Sequence, residues 1–239
     1  MKFSLPLPAL LFTFLLFSTS CESQKTAQQT TTSTQTVAAN PEPVAGLTIE
    51  ELDKNYEGYE KAYLAGGCFW CTEAALDRIQ GVIDVHSGYA GGEEINPTYR
   101  EVAAGKTGHA EAIVVYYDPE VITYPEILDV FFVAHDPTQL NRQGPDVGTQ
   151  YRSTIFPLGE EQERIAREKI AALNASGKFS KPLATTIEDP IVFYLAEAYH
   201  QDYYEDPSNP NQGYVQNVSR PKVEKVMKVF KDRLKPEFQ

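Results

Sequence analysis

Two cysteines sit three residues apart in the stretch GGCFWC, as Cys68 and Cys71. They lie where a predicted strand passes into a predicted helix. Gly66 and Gly67 let the backbone turn tightly there. Cys68 then falls at the first turn of the helix, where unpaired N–H groups stabilise an anion. A thiolate so placed has a lowered pKa and becomes nucleophilic. Cys71 shares its helical face and lies within bridging reach. The pair therefore supports thiol–disulfide chemistry. Phe69 and Trp70, the chain's one tryptophan, add apolar surface beside the sulfur.

Other readings of the pair remain open at this point. A zinc half-site needs a second pair of ligands, and His86, His109, His135 and His200 are scattered. Two cysteines also serve as small buried hydrophobes. A thioredoxin-like motif carries Gly-Pro between its cysteines, where this chain has Phe-Trp. Away from the cysteines, Glu111 shares strand parity with Ile113 and Val115, so it is expected to face buried surface. A desolvated Glu holds its proton towards neutral pH and can act as an acid. His109 and His135 read as structural. Asp146, after Pro145, reads as a turn residue, and the Tyr203-Tyr204 pair as core packing.

The elements that must position these groups follow from pattern. Residues 60–65 alternate and stop at Gly66-Gly67, which predicts a strand. Residues 69–79 carry apolar side chains at helical spacing, and Gly81 ends that helix. Strands are expected over 82–89, 109–117 and 151–156. Thr123 with Glu126 forms a capping box for a helix over 123–135. A further helix is expected over 160–176, with loop at 136–150. The order β-α-β-β-α-β predicts an α+β fold with a ferredoxin-like split β-α-β core (an α/β plait). Late strands near 185–195 and a helix near 221–233 would be C-terminal additions.

Composition sets the frame. The chain has 239 residues, 42% hydrophobic, with a net charge of −12. That is a globular composition, with room for one well-packed domain. The acidic balance argues against a nucleic-acid partner. Three cysteines are too few for a disulfide framework. Residues 1–20 carry Lys2 followed by an apolar run over 5–17, too short to span a membrane and fitting a signal peptide. Ser18-Thr19-Ser20-Cys21 resembles a bacterial lipoprotein signal, with Ser18 where Leu is usual. It implies lipidation of Cys21; a secreted soluble form is the alternative. Residues 21–45, rich in Ser, Thr, Gln, Ala and Pro, read as a flexible tether. Residues 46–239 remain for a single domain.

Motifs along the chain then resemble one family. GCFWC with Thr72-Glu73, GYAGG at 88–92, NPTYREV at 96–102, TGHAEA at 107–112, HDPTQ at 135–139 and GPDVGTQYRS at 144–153 resemble peptide methionine sulfoxide reductase type A. The resemblance spans about residues 60–205. It implies reduction of methionine-S-sulfoxide, free or in proteins, as repair of oxidised proteins, with no metal or other cofactor. Cys68 matches the nucleophile and Glu111 the acid that protonates the sulfoxide oxygen. Tyr99 and Tyr151 match hydroxyls that bind that oxygen, and Asp146 a polar residue that holds the site together. Phe69 and Trp70 match the pocket for the S-methyl group. Many members resolve the sulfenic acid with a cysteine in a C-terminal tail. Residues 205–239 contain none, so Cys71 is expected to resolve, forming a Cys68–Cys71 disulfide that a thioredoxin-like reductant reopens.

The expected protein is thus a monomeric, exported, lipoprotein-type enzyme of a bacterial cell envelope. The competing function is an exported C-x-x-C thiol–disulfide oxidoreductase, which needs no Glu111. A non-enzymatic lipoprotein that binds apolar peptides through Phe69 and Trp70 would show no turnover. Neither explains GHAE or GTQYRS.

Overall fold

The computed structural model describes residues 48–189 and 192–239. The signal peptide, Cys21 and the tether expected over 1–45 lie outside the described residues. The elements in chain order are α1 (Ile49–Asn55), β1 (Glu60–Gly66), α2 (Phe69–Asp77), β2 (Val82–Ala90), α3 (Tyr99–Ala103), β3 (Ala110–Tyr117) and α4 (Tyr124–Ala134). There follow the two-residue strands β4 (Arg142–Gln143) and β5 (Asp146–Val147), then β6 (Ser153–Phe156), α5 (Glu160–Ala175), β7 (Thr186–Ile187) and β8 (Tyr194–Leu195). The chain closes with α6 (Gln212–Tyr214) and α7 (Arg220–Val229).

Six strands form one sheet in the order β7-β6-β1-β3-β2-β8. The middle four are antiparallel to one another. β3 lies between β1 and β2, so the first β-α-β unit is split, as the element order predicts. β7 adds parallel to β6 and β8 antiparallel to β2, one at each edge. The expected late strands are therefore edge strands of the same sheet, and the expected late helix is α7.

β3 is buried along its whole length. One sheet face carries Leu64, Ile113 and Val115, which meet Leu76 of α2, Phe131 of α4 and Val226 of α7. The other carries Tyr63, Val114 and Tyr116, covered by Leu52 of α1 and by Phe193. Burying each such aliphatic side chain contributes about 1.5–3 kcal/mol. Strand parity therefore tells which face Glu111 joins, but not that it is buried, since both faces are covered.

Local chemistry starts and stops the helices. Thr48 with Glu51, Thr98 with Glu101 and Thr123 with Glu126 each form a capping box. The first of these starts α1, which pattern reading did not find because only seven residues follow the cap. At the end of β1, Gly67 takes φ +94° and a Cβ there would come within 2.5 Å of Gln143. Only glycine allows both that turn and that contact. The strand expected to begin at Tyr151 begins at Ser153, because Thr149–Tyr151 is a 3-10 turn.

His135 ends α4 and is structural, as expected. It is buried, with Nδ1 against the Phe131 carbonyl at 2.7 Å and Nε2 against the Ser153 hydroxyl at 2.8 Å. Burial lowers its pKa from 6.5 to about 4. The unfolded chain takes up this proton before the folded one, so stability is lost as pH falls through 6.5 towards 4. Urea unfolding across that window is expected to show a loss of up to about 3 kcal/mol from this group. His135→Gln, compared in the same titration, is expected to flatten that part of the curve.

Candidate active site

Six of the residues singled out from sequence line one cavity of about 180 Å³: Cys68, Trp70, Tyr99, Glu111, Asp146 and Tyr151, joined by Asn211 and Tyr214. Cys68 and Trp70 come with α2, and each of the others from a different element. Cys68 is the N-cap of α2. Glu111 stands on β3, paired in register with Tyr89 of β2. Tyr99 opens α3 behind the Thr98 cap, and its backbone N–H donates to Glu197 Oε1 at 2.9 Å. Asp146 begins the return strand of the β4–β5 hairpin. Tyr151 closes the 3-10 turn, whose Gln150 donates from Nε2 to the Ala103 carbonyl at 2.9 Å. A larger surface cleft of about 550 Å³, lined by Asp136, Arg142 and Lys181 among others, holds none of these groups.

The electrostatics turn on burial. Glu111 is 1% exposed. Desolvation raises its pKa to about 8, against the pull of the Phe69 N–H, which donates to Oε2 at 3.1 Å. The group is therefore protonated at neutral pH. The hydroxyls of Tyr99 and Tyr151 are pushed up first by burial and then by Glu111, so both stay protonated. Tyr214 donates to Asp146 Oδ2 at 2.6 Å and lines the same cavity as Cys68. Among the described residues no group of three or more His, Cys, Asp and Glu could hold a metal ion.

One expectation is corrected. Cys68 was to be a lowered-pKa thiolate in the first helical turn. It is instead the cap residue, with non-helical ψ of 122°. The nearest helix N–H, that of Phe69, is given to Glu111 rather than to the sulfur. Burial pushes the Cys68 thiol well up, and the neighbouring Cys71 adds to this. The lowered thiol is Cys71, brought to about 7 by the bond it shares with Cys68 and by Lys222 and Ser219. Both cysteines are free and buried.

Two expected site residues stand off the cavity. Cys71 lies one helical turn beneath Cys68, and Phe69 is fully buried behind the wall. The Phe69 ring packs against Tyr89, Tyr99, Trp70 and His200 at 5.2–6.2 Å between centroids. Trp70 faces the cavity and is held from behind. Tyr203 stacks on it at 3.8 Å and 9°, and its Nε1 donates to His200 Nδ1 at 3.1 Å. Tyr203 is core packing, as read from the sequence, and what it packs is the site's tryptophan. Asn211, Tyr214, Ser219 and Lys222 were missed. They come from a C-terminal segment whose only sequence signal was the absence of cysteine, and long-range packing alone brings them to the site.

A thiol, a neutral buried acid and fixed phenol hydroxyls around a cavity for one side chain define a thiol enzyme with an acid directed at its substrate. Comparison with known proteins agrees with this class. Residues 60–234 match the family model described as peptide methionine sulfoxide reductase. Peptide methionine sulfoxide reductase MsrA of Deinococcus radiodurans is 53% identical over 176 residues, 74% of this chain and 84% of that one. The MsrA of Nitratiruptor is 53% identical over 175 residues, 73% and 98% of the two chains. Among solved structures, methionine sulfoxide reductase A of Corynebacterium diphtheriae superposes with a TM-score of 0.62 at 35% identity, covering 71% of this chain and 87% of that one. Reduced Mxr1 of Saccharomyces cerevisiae gives 0.57 at 40%, covering 64% and 88%. The chain belongs to the peptide methionine sulfoxide reductase family. Its activity is the reduction of methionine sulfoxide to methionine.

Because Trp70 is the chain's one tryptophan, intrinsic fluorescence reports on this wall directly. Tyr203→Ala removes the ring stacked on it, so the emission of the full chain is expected to shift to the red. An unchanged spectrum would show that the stack does not shield the indole.

Proposed function

We propose that the cavity reduces the S-epimer of methionine sulfoxide, free or in exposed protein segments, with Cys68 as nucleophile and Glu111 as acid. The carrying observation is Glu111, kept protonated by burial in the cavity that Cys68 enters. The oxygen of a sulfoxide accepts the Glu111 proton, assisted by the Tyr99 and Tyr151 hydroxyls. That leaves the sulfur electrophilic, and Cys68 attacks it. The oxygen then passes from the substrate sulfur to the Cys68 sulfur as the bond between the two sulfurs breaks, so that methionine departs and Cys68 is left as a sulfenic acid. The thiol proton and the oxygen end together in the S–OH group, so Glu111 regains its proton. Asp146 holds Tyr214 in the cavity that Cys68 lines, and Trp70 contacts the S-methyl group. Phe69 supports that wall from behind. The cavity's size suits one side chain rather than a larger cofactor or ligand.

Cys71 resolves the sulfenic acid to a Cys68–Cys71 disulfide, and a thioredoxin-like dithiol protein reopens it. The support is cysteine position: within the described residues these are the two thiols, and they are neighbours. A plain thiol–disulfide oxidoreductase would leave Glu111 and the two phenols without a task. The cavity is completed within one chain, which supports action as a monomer. Residues 1–20 are read as a signal peptide and Cys21 as a lipid anchor. With the tether over 21–45, this places protein repair in a bacterial cell envelope; the support is the sequence alone.

Supplied with dithiothreitol, the full chain is expected to consume the S-epimer and leave the R-epimer, followed separately by chromatography. Cys68→Ser should abolish the reaction, and loss of neither epimer would discard this reading. Glu111→Gln is expected to lower the rate by about 10²–10⁴. The wild-type rate should fall as pH rises through about 8, because the acid is then deprotonated, and the variant should lack that limb. For the anchor, Cys21→Ser is expected to move the protein from the membrane pellet of a bacterial host into the soluble fraction. Equal partition of both forms would remove it.

A further inference from the structure

The three elements at the chain's end form one uninterrupted helical run: α6, a π-helical turn over Val215–Ser219, and α7. A π-turn shifts the register of all that follows and is frequent at functional sites. Here the run places Tyr214 in the cavity beside Cys68 and, at the last residue of the π-turn and just past it, sets Ser219 and Lys222 on one face over Cys71. The Cys71 sulfur and the Ser219 hydroxyl are 3.2 Å apart. The Lys222 ammonium lies 3.7 Å from the same sulfur, and that is its one hydrogen-bond partner among the described residues. A cation spent on a buried neutral thiol gains little; beside a thiolate it offsets desolvation.

We propose that Ser219 and Lys222 form a cradle for a Cys71 thiolate, making Cys71 the attacking sulfur when the disulfide forms and the departing sulfur when it is reduced. This rests on the reading of Cys71 as resolver. In the first step the Cys71 thiolate attacks the sulfur of Cys68–SOH. The S–S bond forms, the S–O bond breaks, and the oxygen leaves as water with one proton from Glu111 or solvent. In the second step a dithiol reductant meets Cys68, because Cys68 lines the cavity and Cys71 does not. Its thiolate bonds to the Cys68 sulfur, the S–S bond breaks, and Cys71 leaves as thiolate. The reductant's second thiol then displaces Cys68. A low-pKa thiol leaves fastest, so one cradle serves both steps. Lys222 and Ser219 are positioning residues in this scheme and do not touch the substrate.

The groups facing Cys71 come from several elements. Lys222 and Ser219 favour its charge, together with the bond from Cys68, whereas Asp146 opposes it. Glu111 also lies within electrostatic reach, but burial keeps it neutral below about 8. Cys71 is on balance lowered to about 7. A rise of about two units would cut the thiolate about fiftyfold, while higher intrinsic nucleophilicity would return about eightfold. The net expectation is disulfide formation slowed about sixfold at pH 7.

The test uses the full chain with Lys222→Met, Lys222→Arg and Ser219→Ala, with melting curves as the folding control. In a Cys68→Ser background, ultraviolet thiolate absorbance is titrated against pH. The Cys71 midpoint is expected to rise by about one unit or more in Lys222→Met, less in Ser219→Ala, and to return with Lys222→Arg. With Cys68 present, one turnover without reductant is quenched over time, and the 68–71 peptide is weighed. Disulfide formation should slow several-fold in Lys222→Met, and reopening by dithiothreitol should slow with it. The first release of methionine should not change by more than about twofold, since Cys71 acts after it. Midpoints within about 0.3 unit of each other in all forms would overturn the cradle. A disulfide that forms at the wild-type rate in Lys222→Met would overturn it too, while leaving Cys71 as resolver. Failure of the wild type itself to form the disulfide would remove the resolver reading and the cradle together.

Discussion

The hydrogen bond from the Phe69 N–H to the Glu111 carboxyl, 3.1 Å long and buried, is the constraint on which the site depends. It joins the first residue of α2 to the middle of the sheet, and so fixes the distance between the sulfur and the acid. It also decides how charge is distributed. An N–H at a helix start is the natural donor for a thiolate at the cap. Given to Glu111, it keeps the carboxyl in place without ionising it, since burial outweighs the single bond. Burial, with the neighbouring Cys71, pushes the Cys68 thiol up. A neutral acid and a neutral thiol are a workable resting state when the substrate is itself neutral and is activated by proton donation.

Much of this was legible in the sequence, for identifiable reasons. The order of elements along the chain follows from hydrophobic patterning punctuated by turn residues, and the cap of α4 follows from Thr123 and Glu126. The site residues with strong local motifs, from Cys68 to Tyr151, meet at one cavity. What could not be read locally was the direction of the cysteine pKa values. The helix-terminus argument considers one field, whereas the outcome depends on a side chain 42 positions away taking the donor. Phe69 illustrates the same limit. Its neighbour Trp70 faces the cavity, and only the placement of α2 on the sheet determines which of two adjacent aromatic rings does so.

The residues missed altogether share an origin. Asn211, Tyr214, Ser219 and Lys222 lie in a polar stretch with no motif and no strict period. Their roles arise from the π-helical turn, which local pattern rules treat as ordinary helix. The same stretch makes the C-terminal helical run a common support for both cysteines, with Tyr214 in the cavity beside one and Ser219 and Lys222 on the other.

The sheet's edges bear on how such a protein survives its own clients. Oxidised polypeptides expose backbone as well as side chains, and a long open strand would invite them to add on as further strands. Here each edge ends in a strand of only two residues, β7 on one side and β8 on the other. The ladder available to a stray chain is too short to hold it. Short outer strands of this kind give a client chain little backbone to add on to.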